Sequence, residues 1–99
     1  MRRLVYLPFQ PAPAGLQCDR VSVQSIPEVV GTPAYVYSAR AIRSAFAGID
    51  TAFAEYPHAI HYAVKANSTL ALLRLLRSLG GRVDANSWGE IQVAQRAGF

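Results

Sequence analysis

Residues 58–98 read HAIHYAVKANSTLALLRLLRSLGGRVDANSWGEIQVAQRAG, and the hydrophobic pattern of this stretch decides the fold. In two short runs, apolar and polar residues alternate as they do in a β-strand. Each run is followed by a longer one in which apolar residues recur at helical spacing. The predicted strands are residues 58–64 and 82–85, and the predicted helices are residues 69–79 and 88–97. Strands that alternate with helices form βαβ units, so we predict an α/β fold with a parallel sheet.

Polar residues and glycines mark where these helices begin and end. Asn67-Ser68 predicts a turn and an N-cap before the first helix, and Gly80-Gly81 predicts its end. Ser87-Trp88-Gly89-Glu90 has the S-x-x-E pattern of a capping box, in which the glutamate reaches back to the N-cap amide. Glu90 therefore has a structural role available that requires no ligand.

The residues before this stretch predict one further amphipathic helix. It follows Ser38, ends at Tyr56-Pro57, and carries an apolar stripe made of Ile42, Phe46, Ile49 and Phe53. Farther upstream we predict a β-prone run at residues 34–37, a short helix within residues 22–30 and an irregular, proline-rich linker at residues 8–15.

The composition excludes several classes of protein. Of the 99 residues, 52% are apolar and 16% are charged, which excludes a disordered chain, and no apolar run is long enough to cross a bilayer. Cys18 is the one cysteine, and no cysteines or histidines lie at metal-ligand spacing, so we expect neither a disulfide nor a metal site. The apolar start of the chain is cut by Pro8 before it resembles a signal peptide, so we expect a cytoplasmic protein without a membrane partner.

The net charge of +4 comes from basic residues that are scattered along the chain. A nucleic-acid interface concentrates such residues in a stripe, so we expect no nucleic-acid partner. Lys65 is the only lysine among the ten basic residues, and it directly follows the first strand of the predicted parallel sheet. Functional side chains of such sheets collect at the carboxyl ends of the strands.

Lys65 is the main candidate for a catalytic residue. Its neighbours Ala63, Val64 and Ala66 are small or apolar, which lowers the hydration and the pKa of an amine and leaves room for a flat ring. Such an amine is a nucleophile toward carbonyl groups. Asp84 ends the second strand, and the spacing is equally compatible with a purely structural ion pair between Lys65 and Asp84.

Three motifs in order resemble those of the pyridoxal-phosphate-dependent decarboxylases with an alanine-racemase-type barrel. Tyr62-Ala63-Val64-Lys65-Ala66-Asn67 is similar to their lysine motif, and residues 31–37 are similar to their first strand. Residues 84–90 resemble the segment written D-V-x-S-x-G-E, although Asn86 and Trp88 depart from the expected residues. The resemblance covers residues 31–99 and is greatest to the diaminopimelate decarboxylases within this family.

By position, the resemblance implies that Lys65 binds pyridoxal 5'-phosphate covalently and is the catalytic residue. It also implies that Ala63, Asp84 and Glu90 contact the same cofactor, Glu90 in competition with its capping role. The implied reaction is the decarboxylation of meso-2,6-diaminopimelate to L-lysine and CO2, the last step of lysine biosynthesis, in a homodimer. An ornithine- or arginine-type decarboxylase of the same fold and a non-catalytic pyridoxal-phosphate-binding remnant are the alternatives.

The length bears on how much of that fold is present. A (β/α)8 barrel takes about 250 residues, and the family's glycine-rich phosphate loop has no counterpart among these 99 residues. We therefore expect residues 1–21 to be an N-terminal extension and residues 22–99 to be the first strand–helix units of a truncated barrel. Two parallel strands cannot close a barrel, so we expect an N-terminal fragment that is inactive and aggregation-prone in isolation.

Overall fold

The computed structural model describes residues 6–99 and divides into two compact units at Ser44 and Ala45. The strands are β1 (Phe9–Ala12), β2 (Gly15–Cys18), β3 (Val21–Ser22), β4 (His61–Ala63) and β5 (Arg82–Asp84), and the helices are α1 (Ile26–Val30), α2 (Ala39–Ala52), α3 (Leu70–Ser78) and α4 (Trp88–Ala97). The apolar start of the chain, on which the prediction of no signal peptide rests, lies partly outside residues 6–99. Between residues 6 and 99, no helix combines the length and the apolar character that a membrane crossing needs.

The first unit begins with an antiparallel sheet in the order β1-β2-β3, so the predicted irregular linker at residues 8–15 is wrong. Prolines are compatible with β1 because it is an edge strand. On such a strand, a proline whose nitrogen faces away from the neighbouring strand removes no hydrogen bond from the sheet. Pro11 lies opposite Leu16, and Gly15 starts β2 with a φ of 116°. Asp19 and Arg20 form the turn between β2 and β3 with φ angles of 50° and 69°, the left-handed region that tight hairpin turns use.

The segment between α1 and α2 differs from its prediction in one respect. The short helix within residues 22–30 is confirmed as α1, and Gly31 ends it. Residues 34–37, however, are not a strand: Tyr35 and Tyr37 are exposed, and their rings stack with centroids 6.4 Å apart. A strand needs a neighbour for its backbone groups, and none of the strands in the described residues pairs with this run.

Asp19 organises the start of α2. Ser38 Oγ lies 2.8 Å from both carboxylate oxygens of Asp19, the Tyr6 hydroxyl donates to Asp19 Oδ1, and the Arg40 amide lies 3.4 Å from Oδ2. Ser38 Oγ also accepts from the Ala41 amide at 2.9 Å, which confirms Ser38 as the N-cap. The hydrogen bond from Tyr6 holds the pKa of Asp19 below its usual range and raises the pKa of Tyr6.

The second unit is built on a parallel pair of strands, as predicted. Tyr62 of β4 lies opposite Val83 of β5, and Ala63 lies opposite Asp84. Helices α3 and α4 pack against each other. The buried core consists of Val64, Leu73 and Ala97, with Tyr62, Leu70, Val83, Ala85, Val93 and Phe99 packed around it.

Two predicted elements are shorter in the structure. The strand predicted over residues 58–64 is confined to β4, because strand β5 offers only three residues to pair with it. Helix α2 ends at Ala52 instead of reaching Tyr56. Ile49 and Phe53 of the predicted stripe are about half exposed, at 49% and 52%.

His58 closes the turn that follows α2. Its Nδ1 lies 2.7 Å from the Tyr56 carbonyl oxygen, and its Nε2 lies 2.7 Å from Asp50 Oδ1. Both neighbours accept hydrogen bonds, so both ring nitrogens donate only when the ring is protonated. The Tyr56 carbonyl and then the Asp50 carboxylate raise the pKa of His58.

We expect Asp50→Asn to destabilise this unit at acidic pH and to have little effect at alkaline pH. The pKa of His58 is raised on folding, so the pair contributes fully below the unfolded value of about 6.5. Its contribution is lost as the pH rises through the folded-state pKa. Thermal midpoints at pH 5 and pH 9 test this, with the exposed Glu55→Gln as the control; an equal change of midpoint at both pH values would contradict it.

Candidate functional site

The carboxyl ends of β4 and β5 bring three of the four predicted site residues to one edge of the sheet. Lys65 lies in a 3-10 turn, Val64–Ala66, directly after β4, and Asp84 is the last residue of β5. Ala63 is the register partner of Asp84. Because the strands are parallel, their carboxyl ends lie side by side, which is where α/β enzymes place functional groups.

The two faces of this sheet have different surroundings. Tyr62 and Val83 pack against the buried core. Because side chains alternate along a strand, Ala63 and Asp84 belong to the opposite face, together with His61 and Arg82. Asp84 is exposed and Ala63 is half-buried, so this face carries a small side chain beside a carboxylate.

The amine of Lys65 has no hydrogen bond or ion pair to any residue in the range 6–99. Within that range the structural ion pair between Lys65 and Asp84, left open by the sequence, is not formed; the one ion pair there joins His58 and Asp50. Lys65 is exposed, so the dehydration expected from its small neighbours is absent. The reason is that Val64 points into the core while Lys65 faces solvent. An exposed amine without a partner among the described residues is sterically accessible to a carbonyl group.

The turn that carries Lys65 is closed by hydrogen bonds that the sequence did not predict. The Tyr62 hydroxyl donates to the Asn67 carbonyl oxygen at 2.9 Å. Asn67 Oδ1 accepts from the Thr69 amide at 3.0 Å and from Thr69 Oγ1 at 2.7 Å. The N-cap residue of α3 is Thr69 and not the predicted Ser68. The side chain of Asn67 binds Thr69 from two positions earlier in the chain.

The predicted capping box forms only in part at the start of α4, because Glu90 binds the Ser87 hydroxyl and not the Ser87 amide. Ser87 Oγ accepts from the Glu90 amide at 3.2 Å and donates to Glu90 Oε2 at 2.9 Å. The Asn86 amide lies 3.4 Å from Glu90 Oε1, so the glutamate reaches back one residue beyond the N-cap. Both carboxylate oxygens are thus engaged in holding the loop after β5. Trp88, in the first turn of α4, is 67% exposed.

The structure gives no catalytic role to the other groups that the sequence offers for chemistry. Cys18 is buried in β2, and burial raises the pKa of its thiol, which disfavours the nucleophilic thiolate. In the described part of the chain, no three His, Cys, Asp or Glu side chains are grouped so as to hold a metal ion. His61 is exposed and is not part of the core.

Comparison with known proteins places these features in a family. Residues 39–99 match the family described as "Pyridoxal-dependent decarboxylase, pyridoxal binding domain". Over 83 residues the chain is 42% identical to a diaminopimelate decarboxylase of Neisseria meningitidis serogroup A, an overlap of 84% of this chain and 20% of that protein. The chain thus spans about a fifth of the length of the curated relatives it matches.

Solved structures give the same result for the fold. A crystal structure of a protein from Aquifex aeolicus superposes with a TM-score of 0.84 at 36% identity, over 93% of this chain and 22% of that chain. The diaminopimelate decarboxylase of M. jannaschii, solved in complex with L-lysine, superposes with a TM-score of 0.82 at 29% identity, over 90% of this chain and 22% of that chain.

Proposed function

The chain belongs to the pyridoxal-dependent decarboxylases through their pyridoxal-binding domain, and from that premise we propose that it is the first part of a diaminopimelate decarboxylase. The full-length enzyme would be a cytoplasmic homodimer that converts meso-2,6-diaminopimelate to L-lysine and CO2. In this proposal residues 1–21 are an extension, and residues 22–99 contribute the first strand–helix units of an alanine-racemase-type barrel. The parallel pairing of β4 with β5 and the identity to relatives of that name support it.

The single observation that carries the proposal is the free amine of Lys65 at the carboxyl edge of the sheet. The residues around it fit an aldehyde cofactor: the amine is exposed and has no partner among the described residues, and Ala63 is small. Asp84 supplies a carboxylate at the same edge. Pyridoxal phosphate is the aldehyde cofactor that decarboxylases of this family use, and Lys65 would hold it covalently through Nζ.

When bound, pyridoxal phosphate accepts the electron pair that remains on the substrate when CO2 leaves. The residues of this chain position that chemistry. Lys65 would hold the cofactor at the end of β4, Ala63 would leave the space that a flat ring needs, and Asp84 would place a carboxylate at the same edge of the sheet. We propose that Glu90 also serves the cofactor site, by holding the loop after Asp84; a direct contact requires it to give up its bonds to Ser87 and Asn86.

We expect borohydride reduction of the full-length protein with bound pyridoxal phosphate to place the phosphopyridoxyl mass on Lys65. Trypsin does not cleave after a modified lysine, so the labelled protein yields one peptide of residues 44–74 that bears the added mass. Unlabelled protein is cut at Lys65 and yields residues 44–65 and 66–74 instead, because Arg43, Lys65 and Arg74 are consecutive cleavage sites. Added mass on another residue, or on none, would overturn the proposal.

A further inference from the structure

The 3-10 turn of Lys65 is anchored at its start by the core. Val64, the first residue of the turn, has no exposed surface and packs with Leu73 of α3 and Ala97 of α4. A side chain enclosed on all sides moves only if its neighbours move, because protein interiors are packed without free space. The backbone on the amino-terminal side of Lys65 is therefore fixed by the core.

The same turn is anchored at its end by hydrogen bonds. Tyr62 packs its ring against the core while its hydroxyl reaches past the turn to the Asn67 carbonyl oxygen, 2.9 Å away. Asn67 is in turn joined to Thr69 through its side-chain oxygen. The chain on the carboxyl-terminal side of Lys65 is thus tied both to β4 and to the start of α3.

Lys65 consequently combines a fixed backbone with a free side chain. A lysine that holds a cofactor must present its amine at a defined position, and supporting residues are what define such a position. We propose that Tyr62 is a positioning residue: its hydroxyl holds the Lys65 turn closed and thereby sets where the amine meets the cofactor. This inference rests on the proposed function of Lys65.

Replacing Tyr62 by phenylalanine isolates the hydroxyl, because the ring and its packing remain. The Asn67 carbonyl oxygen then loses the donor that reaches it across the turn. One intramolecular hydrogen bond shifts an equilibrium by roughly 2- to 12-fold, so the turn should open more often by about that factor. Tyr37→Phe is the matched control, since Tyr37 is half exposed and lies outside the second unit.

The test uses the full-length protein, first without cofactor and then with pyridoxal phosphate added. In Tyr62→Phe we expect hydrogen exchange of the amides of residues 65–67 to be roughly 2- to 12-fold faster, with α4 unchanged. We expect the rate of borohydride-trapped labelling of Lys65 to fall by a similar factor, and Tyr37→Phe to match the wild type in both measurements. If Tyr62→Phe does not fold, Asn67→Ala, which removes the link to Thr69, carries the same expectation.

The outcomes separate this inference from the proposed function. If wild-type Lys65 is labelled but Tyr62→Phe is labelled equally fast with unchanged exchange, the positioning role is wrong and the proposed function stands. Faster exchange throughout α3 and α4 would mean that Tyr62 only stabilises the unit, which also overturns the inference. If wild-type Lys65 is never labelled, the proposed function fails, and with it the inference that depends on it.

Discussion

Lys65→Ala is expected to abolish covalent attachment of pyridoxal phosphate in the full-length protein and to lower decarboxylation by roughly three orders of magnitude or more. The reason is that the covalent bond needs an amine at the end of β4, and none of these 99 residues other than Lys65 is a lysine. The amine has no structural partner in the described residues, so its removal should leave the fold intact. The loss would then appear in the chemistry and not in the stability.

Two further variants sharpen that experiment. Lys65→Arg keeps the positive charge but cannot form the covalent bond, so it should lose as much activity as the alanine variant. Arg74→Ala, at an exposed position of α3, should match the wild type. The measurements are CO2 release and the visible-violet absorbance of lysine-bound cofactor. Bound-cofactor absorbance that persists in Lys65→Ala would refute the assignment.

Leu73→Ala is expected to have the largest effect on stability, a loss of about 2–5 kcal/mol in the free energy of unfolding. Leu73 has no exposed surface and lies in the core with Val64 and Ala97. Truncation removes buried methyl groups and leaves a cavity that neighbouring side chains fill only in part. Val64 packs with Leu73 and is the first residue of the turn that carries Lys65, so the cavity would also adjoin the residue that anchors the candidate site.

The matched control for this stability prediction is Leu16→Ala in β2. Leu16 is 45% exposed, so the same truncation there removes much less buried surface and should cost about 1 kcal/mol or less. Urea unfolding of the full-length protein gives both values. Equal losses for the two variants, or a loss below about 1 kcal/mol for Leu73→Ala, would show that α3 is not held by this core.

The sequence determined those features that depend on local signals. The helical period and two caps define α4, whose observed bounds, from Ser87 as N-cap to Gly98 as C-cap, are those predicted. The alternation of strands and helices indicated the parallel pairing of β4 with β5, and hence the position of Lys65 at the carboxyl edge. Such signals act over a few residues, so they can be read in order along the chain.

Sequence patterns failed where a feature depends on which distant segment becomes a partner. The proline-rich residues 8–15 form part of a hairpin sheet, and residues 34–37, despite their β-prone side chains, find no strand to pair with. Spacing left the ion pair of Lys65 with Asp84 open, and the tertiary structure leaves the amine without it. The periodicity of apolar residues predicts which face of a helix or strand a residue occupies, but not which atom its side chain contacts.

Only the tertiary structure decided how the lysine motif is supported. The sequence placed Tyr62, Lys65 and Asn67 within six residues, and nothing in that spacing shows that the tyrosine hydroxyl closes the turn. That bond forms because β4 ends at Ala63 and the chain turns sharply while Val64 enters the core. Composition and hydrophobic periodicity singled out Lys65 as the candidate, whereas packing and hydrogen bonding fixed the backbone that presents it, because those interactions exist only once the chain has folded.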